Sequence, residues 1–334
     1  MNDGKGNLRE SYGGYLPLEI NPSKTGERKF GNGLNVLRLN TVVAGIPIVK
    51  ENIREDIIYC PYYLCPNVIS QLKKCFKHVV FYNITKDLLP SANIFDNSNA
   101  AVYLVNYFGV IGKKIASIIK RHVDTTFLVD NAHAFFEKPI MRDNIYTFYS
   151  CRKFFGVPDG AYLVSKERLD CNYSTFQSWQ HSEYLLKSFE CGTNSAYNSK
   201  KEADEYLLSH PGKMSFFTRS FLNNIDYRFI RKKRKQNFKT YEQEFGDINQ
   251  ITCEPHSIPY IYPFNVGKNV KKSLVECRIY VPTLWELPVH INSGWGYEKF
   301  LSENTLFLPL DQRYSSYDVR YICSVVKELI GENN

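Results

Sequence analysis

Short apolar blocks alternate with helix-patterned stretches over the first two thirds of the chain. VLRL (36–39), DIIYC (56–60), HVVFYN (78–83), AAVYLVN (100–106), TTFLVD (125–130), IYTFYS (145–150) and AYLVS (161–165) are rich in β-branched and aromatic residues and too short for helices, so each reads as a strand. Between them, PNVISQLKKCF carries Pro66 where a first helical turn tolerates it and sets Val68, Ile69, Leu72 and Phe76 on one face. GKKIASIIKRH does the same with Ile115, Ile118 and Ile119, and closes on basic residues that suit the negative end of a helix dipole. Apolar strands alternating with helices predict an α/β fold with a mainly parallel central sheet covered on both faces.

Past residue 165 the alternation stops, and helical segments dominate to about residue 245. A smaller unit is then predicted from IPYIYPF as strand, NVKKSLVEC as helix, RIYVPTLW as strand and SYDVRYICSVVKELI as the last helix. The expected organisation is a large α/β domain over 1–235, with an N-terminal arm over 1–34, and a smaller C-terminal α+β domain over 236–334.

Composition leaves this picture in place. Apolar residues at 43% and charged residues at 23% are ordinary for a globular chain, and no apolar run nears the ~18 residues that span a bilayer. The N-terminal MNDGKGNLRESYGGY lacks a signal-peptide core, so a cytoplasmic protein is expected. Nine cysteines, odd in number and scattered from Cys60 to Cys323, read as reduced thiols mostly in the core, with no Cys/His group to make a metal site. The net charge of +8 is concentrated in RFIRKKRKQNFK (228–239). Phe217, Phe221, Ile225 and Phe229, then Phe238, Tyr241 and Phe245, recur mostly every three or four residues. They predict one long amphipathic helix with a solvated basic face, and nothing beside it marks nucleic acid as a partner.

Candidate chemistry gathers at strand ends. Asp130 ends TTFLVD and Lys153 follows IYTFYS, which places opposite charges where open α/β sheets bind ligands. An ammonium at the end of a buried strand is costly to desolvate unless it is paired or has a chemical task. A structural salt bridge is one reading. Pyridoxal phosphate is the cofactor that wants both groups: a lysine amine for its aldehyde, a carboxylate beside its pyridine nitrogen, and donors for its phosphate.

VDNAHAFF resembles the Asp-x-x-His/Gln motif of the DegT-type sugar aminotransferases, a group of fold type I pyridoxal phosphate enzymes. SCRKFFGVPDGAYLV resembles their lysine motif, in which a glycine-containing hairpin and a strand follow the lysine. IIYCPYYLCPNVISQL, VYLVNYFG and LFLPLDQRY are similar, in the same order, to further segments of that group, so the resemblance covers roughly residues 35 to 330. It implies Lys153 as the Schiff-base lysine and proton shuttle, Asp130 as partner of the pyridinium nitrogen, His133 against the ring hydroxyl, and Ser150 as a phosphate donor. Tyr63 or Tyr62 would stack on the cofactor ring.

The small, glycine-led phosphate turn of that group corresponds here to RLNTVVAGIP, where Thr41 is the remaining donor. Phe148 stands where a serine is common, and Asn106 where a histidine is frequent. Arg313 is a candidate to hold an amino donor's carboxylate through its planar fork, and also reads as a surface arginine. Trp285 and Tyr280 are candidates for the substrate mouth, and also read as core. The implied activity is amino transfer from a donor such as glutamate to a keto sugar on a nucleotide, in amino-sugar and surface-polysaccharide synthesis, by a homodimer. The altered phosphate turn motivates a second reading, a catalytically silent homologue of the same fold that acts as a binding or regulatory partner.

Overall fold

The computed structural model describes residue 18 and residues 26–95, 97, 99–285 and 296–331; residues 1–17 and 19–25 of the expected arm lie outside the described residues. Every strand expected before residue 165 forms: β1 (Asn35–Leu39), β2 (Ile57–Pro61), β3 (His78–Tyr82), β4 (Ala100–Val105), β5 (Thr126–Asp130), β6 (Ile145–Ser150) and β7 (Ala161–Ser165). They make one seven-stranded sheet in the order β1-β7-β6-β5-β4-β2-β3. The pairs β2/β3, β2/β4, β4/β5 and β5/β6 are parallel, and β7 runs antiparallel to both β6 and β1. β4, β5 and β7 are buried along their whole length, which is why their sequences are apolar without alternation. β3, at the edge, leaves its alternate residues His78 and Val80 exposed.

Three helices cover this sheet: α1 (Gly45–Asn52), α2 (Pro66–Cys75) and α3 (Gly112–Arg121). α3 buries Ile115, Ile118 and Ile119, the face its spacing predicts. Downstream come α4 (Glu183–Cys191), α5 (Tyr197–Ser209), α6 (Phe216–Leu222) and α7 (Tyr227–Phe245), then β8 (Tyr262–Phe264), α8 (Lys271–Glu276), α9 (Tyr297–Asn304), β9 (Leu306–Leu308) and α10 (Ser316–Ile330). α7 runs through the expected boundary at residue 235, and one continuous core joins Leu104 of the sheet to Phe238, Tyr262 and Val326.

Two expectations are corrected. The long helix across residues 217–245 is two helices, because Asp226 caps a new one: its carboxylate accepts the Phe229 N–H at 2.9 Å. The buried side of α7 is then Ile230, Arg234, Phe238, Tyr241 and Phe245, while Phe229 is exposed. RIYVPTLW forms no strand, since Pro282 has no N–H for a ladder and Arg278 adopts a positive φ; the partner of β8 is β9, antiparallel to it. Of the cysteines, all free, Cys60, Cys151, Cys253 and Cys323 are buried, whereas Cys191 and Cys277 are exposed. Among the described residues no helix is long and apolar enough to cross a membrane.

Candidate active site

The carboxyl ends of β1, β4, β5 and β6 meet the start of antiparallel β7 on one side of the sheet and frame a cavity of about 240 Å³. Asn40 and Thr41 enter it from β1, Asn106 from β4, Asp130 from β5, Ser150 from β6 and Gly160 from the turn into β7. Gly160 has φ +119°, and a Cβ there would come within 3.0 Å of Thr218, so the hairpin can close only around glycine.

Asp130 is fixed from both sides. Its Oδ1 accepts the Ala132 N–H at 2.8 Å and its Oδ2 accepts the Tyr103 hydroxyl at 2.9 Å. Burial raises its pKa, against the pull of those two donors and of the Lys153 charge. Three residues on, His133 is buried with its ring stacked 5.7 Å from Trp285 and 5.1 Å from Tyr260. Burial, then the Lys153 charge, pushes its pKa well down, so the ring is neutral. Its Nδ1 is buried without a hydrogen-bond partner among the described residues. The turn at Tyr107–Gly109 packs on the His133 backbone so closely that a Cβ on Gly109, at φ +85°, would lie 2.2 Å from the His133 carbonyl oxygen.

Lys153 sits in the tight turn that leaves β6, where the Cys151 carbonyl accepts the N–H groups of Phe154 and Phe155. Its Nζ lies 4.9 Å from the centroid of the Tyr260 ring and has no hydrogen-bond or ion-pair partner among the described residues. The structural salt bridge to Asp130 is therefore not formed. Phe154 and Phe155 bury themselves behind the turn with Tyr149, Leu222 and Ile230, which leaves the lysine at the cavity wall.

At the opposite end Thr41, Val42 and Val43 form the turn between β1 and α1. Thr41 Oγ1 accepts the Ala44 N–H at 3.1 Å and keeps its own proton to donate, and the Val42 and Val43 N–H groups donate to no described residue. Ser150 lines the same cavity, and its hydroxyl likewise has no partner among the described residues. Free donors at the start of a helix make this end suited to an anion. Lys153 and Arg152 also line a second cavity of about 370 Å³ with Arg234, Tyr280, Asp311 and Arg313, so the lysine stands where the two spaces meet.

Three sequence-derived assignments look different in place. Tyr63 is fully buried against Tyr107 and Trp285, and Tyr62 stacks on Phe81; neither lines the Asp130 cavity. Trp285 lines that cavity rather than the second one, and is the ring that faces His133. Arg313 does line the second cavity, but its fork is spent on Asp311, Nε to Oδ1 at 2.8 Å and Nη2 to Oδ2 at 2.8 Å.

Other residues carry no sequence signal. Tyr103 lies mid-strand in an apolar run. Asp159 is fully buried and accepts the Ser215 N–H at 2.8 Å, the Ser215 hydroxyl at 2.6 Å and the Thr218 hydroxyl, which pins the lysine hairpin to α6. Asp204, from α5, lines the first cavity and holds Arg152 in an ion pair.

No protein-family model and no curated protein matches this sequence. Solved structures do. The chain is similar to Helicobacter pylori PseC, an aminotransferase of pseudoaminic acid biosynthesis, at 15% identity and TM-score 0.59, over 89% of this chain and 87% of that one. It is similar to a putative sugar aminotransferase of Streptococcus pneumoniae in its PLP form, at 15% identity and TM-score 0.60, over 88% and 86%. A DegT/DnrJ/EryC1/StrS aminotransferase from Brucella abortus matches at 13% identity and TM-score 0.55, over 88% and 85%. The likeness is one of fold, and it extends over nearly the whole chain.

Proposed function

We propose that this chain, which has the fold of the DegT/DnrJ/EryC1/StrS sugar aminotransferases, is a pyridoxal phosphate-dependent aminotransferase. Its reaction moves an amino group from an amino-acid donor to a keto sugar carried on a nucleotide, in amino-sugar and surface-polysaccharide synthesis. The observation that carries the reading is Lys153, an amine without hydrogen-bond or ion-pair partner among the described residues, placed between the Asp130 cavity and a cationic second cavity. The donor set suits the cofactor. Asp130, held by Ala132 and Tyr103, is oriented to keep a pyridine nitrogen protonated, and the unpartnered Nδ1 of neutral His133 offers a hydrogen bond to a ring oxygen. The amides of Val42 and Val43, with Thr41 and Ser150, suit the phosphate. The backbone thus meets the need that the missing glycine-led turn left open.

Bound there, pyridoxal phosphate supplies an aldehyde that condenses with amines and a ring that takes up the electrons released at Cα. Lys153 Nζ takes the proton from the donor's Cα as general base and returns one as general acid. Trp285 and His133 close one wall against water. Sugar aminotransferases among the similar structures support a sugar acceptor, and the second cavity beside Lys153 offers it room. On this reading the working form is a homodimer, the state that the resemblance of the sequence to the family implies.

The test is the visible absorption spectrum of purified protein with pyridoxal phosphate, before and after borohydride, alongside Lys153→Ala. The expected result is a band bleached by borohydride, with the cofactor left covalently on Lys153, and no such band in the variant. Wild-type protein without a band in excess cofactor overturns the enzyme reading and leaves the silent homologue.

A further inference from the structure

The positive charge of the chain is carried almost entirely by α7. Residues 228–239 hold seven of the 42 lysines and arginines and no acid, against a net charge of +8, so the remainder is close to neutral. Arg234 turns inward, while Arg228, Arg231, Lys232, Lys235 and Lys239 are exposed. At about 100° per residue these five fall on one stripe about 100° wide, opposite the face that buries Ile230, Asn237 and Tyr241. None of the five has a hydrogen-bond or ion-pair partner among the described residues. Glu137 feels the charge of Arg231, and Asp318 that of Lys233, which is half-buried on the side towards α10; neither acid pairs with the cation it feels. Like charges three and four residues apart repel along a helix, so the stripe is a cost to the folded chain that an anionic partner relieves.

α10 widens the stripe into a platform. Gln236 donates to Ser316 Oγ at 3.1 Å and Glu244 is paired with Lys327 at 2.9 Å, so the two helices run side by side in the same direction. These contacts fix which sides of the helices face each other, and they bring Tyr317, Arg320 and Tyr321 of α10 out beside the stripe of α7. Tyr317 is 79% exposed, Tyr321 56%, and Phe229, at the start of the stripe, 54%. Cations in a line with aromatic rings along their border suit an anionic lipid surface, where the charges meet phosphates and the rings rest at headgroup level. Nucleic acid fits less well. α7 lies flush with α10 instead of projecting as a groove-reading helix does, and the rings stand outside the basic track rather than within it, where bases would stack. We propose that the α7/α10 face docks the protein on the surface of an anionic bilayer. This inference does not rest on the aminotransferase reading.

Co-sedimentation of the full chain with vesicles tests it, using phosphatidylcholine alone and phosphatidylcholine with about 30% phosphatidylglycerol. Wild-type protein is expected to pellet with the anionic vesicles and not with the neutral ones, and to be released as salt rises from about 0.05 to about 0.5 M. Lys232→Gln combined with Lys235→Gln and Lys239→Gln removes three charges from exposed positions and should lower the partition coefficient about a hundredfold. Tyr317→Ser combined with Tyr321→Ser leaves every charge in place and should lower it severalfold, which attraction between charges alone would not do. Circular dichroism checks the fold of each variant; if the lysine variant misfolds, the salt series on wild-type protein and the tyrosine variant still decide. Wild-type protein left in the supernatant, equal binding to neutral vesicles, or an unchanged partition coefficient in either folded variant would overturn the proposal. Tighter binding to duplex DNA than to the anionic vesicles, at equal phosphate concentration and salt, would also overturn it and make the stripe a nucleic-acid track.

Discussion

Burial holds His133 neutral: the ring is 4% exposed, stacked on Trp285 and Tyr260, and close enough to feel the positive charge of Lys153. An unfolded chain protonates the same side chain below pH about 6.5. Below that value the unfolded state therefore binds more protons than the folded one, so stability rises with pH through this window and is lost on acidification. From pH 6.5 to 5.5 the loss due to His133 is about 1 kcal/mol. Asp130 acts in the opposite sense at lower pH, since its raised pKa favours the protonated folded form as pH falls, but it is common to wild type and a His133 variant. Urea denaturation at the two pH values should show His133→Gln losing about 1 kcal/mol less than wild type; equal losses would mean that His133 titrates as a solvated histidine. Asp130 and Lys153 drew notice in the sequence because ionisable residues stood at the ends of apolar runs, and His133 because VDNAHAFF resembles a family motif. Tyr63 was misplaced because an aromatic identity does not say which cavity its ring faces. Tyr103 was invisible, since the hydroxyl that steadies Asp130 comes from a residue 27 positions earlier on a neighbouring strand.

At the scale of elements, the lysine hairpin depends on α6. Asp159 joins them by accepting two hydrogen bonds from Ser215 and one from Thr218, at the start of a helix whose positive end favours a carboxylate. Asp159→Ala leaves these buried donors without an acceptor and should cost about 3 kcal/mol or more of unfolding free energy. Chemical denaturation reads this directly, and a loss below about 1 kcal/mol would show that the pairs are not holding the hairpin. Because Gly160, the next residue, lines the Asp130 cavity, the same variant should bind pyridoxal phosphate more weakly. Neither contact is local in sequence: Ser215 lies 56 positions from Asp159. Aromatic periodicity found the helical region at 217–245 but set its face by phenylalanine spacing, whereas the Asp226 cap restarted the helix and turned Phe229 outward. The strands of the main sheet, β1 to β7, were legible from apolar runs, whereas β9 was not; the strand order, which brings the ends of β1, β5 and β6 to one cavity, is a property of the assembled sheet.

On the scale of the whole molecule, apolar surface is unevenly spent. The main core joins the sheet to α7, β8, β9 and α10, but α4 and α5 have only a small core of their own around Tyr184, Ala196 and Ala203. Around them Trp179, Leu186 and Tyr197 are exposed, and Phe189 is 89% exposed. Large apolar side chains gathered on neighbouring elements are the usual mark of an association surface. α5 also supplies Asp204 and Leu208 to the Asp130 cavity, so a partner seated on α4 and α5 would brace a wall of the site. On this basis the proposed homodimer is expected to use α4. Sedimentation at micromolar concentration should give twice the chain mass for wild type and a single chain for Leu186→Glu combined with Phe189→Glu, two exposed positions whose replacement removes nothing from the core. If dimerisation braces α5, the double variant should also hold pyridoxal phosphate less tightly while its circular dichroism stays unchanged. A wild-type protein that sediments as a single chain would remove the need for a partner and leave these side chains as ordinary exposed surface; a dimer that persists in the double variant would move the interface elsewhere.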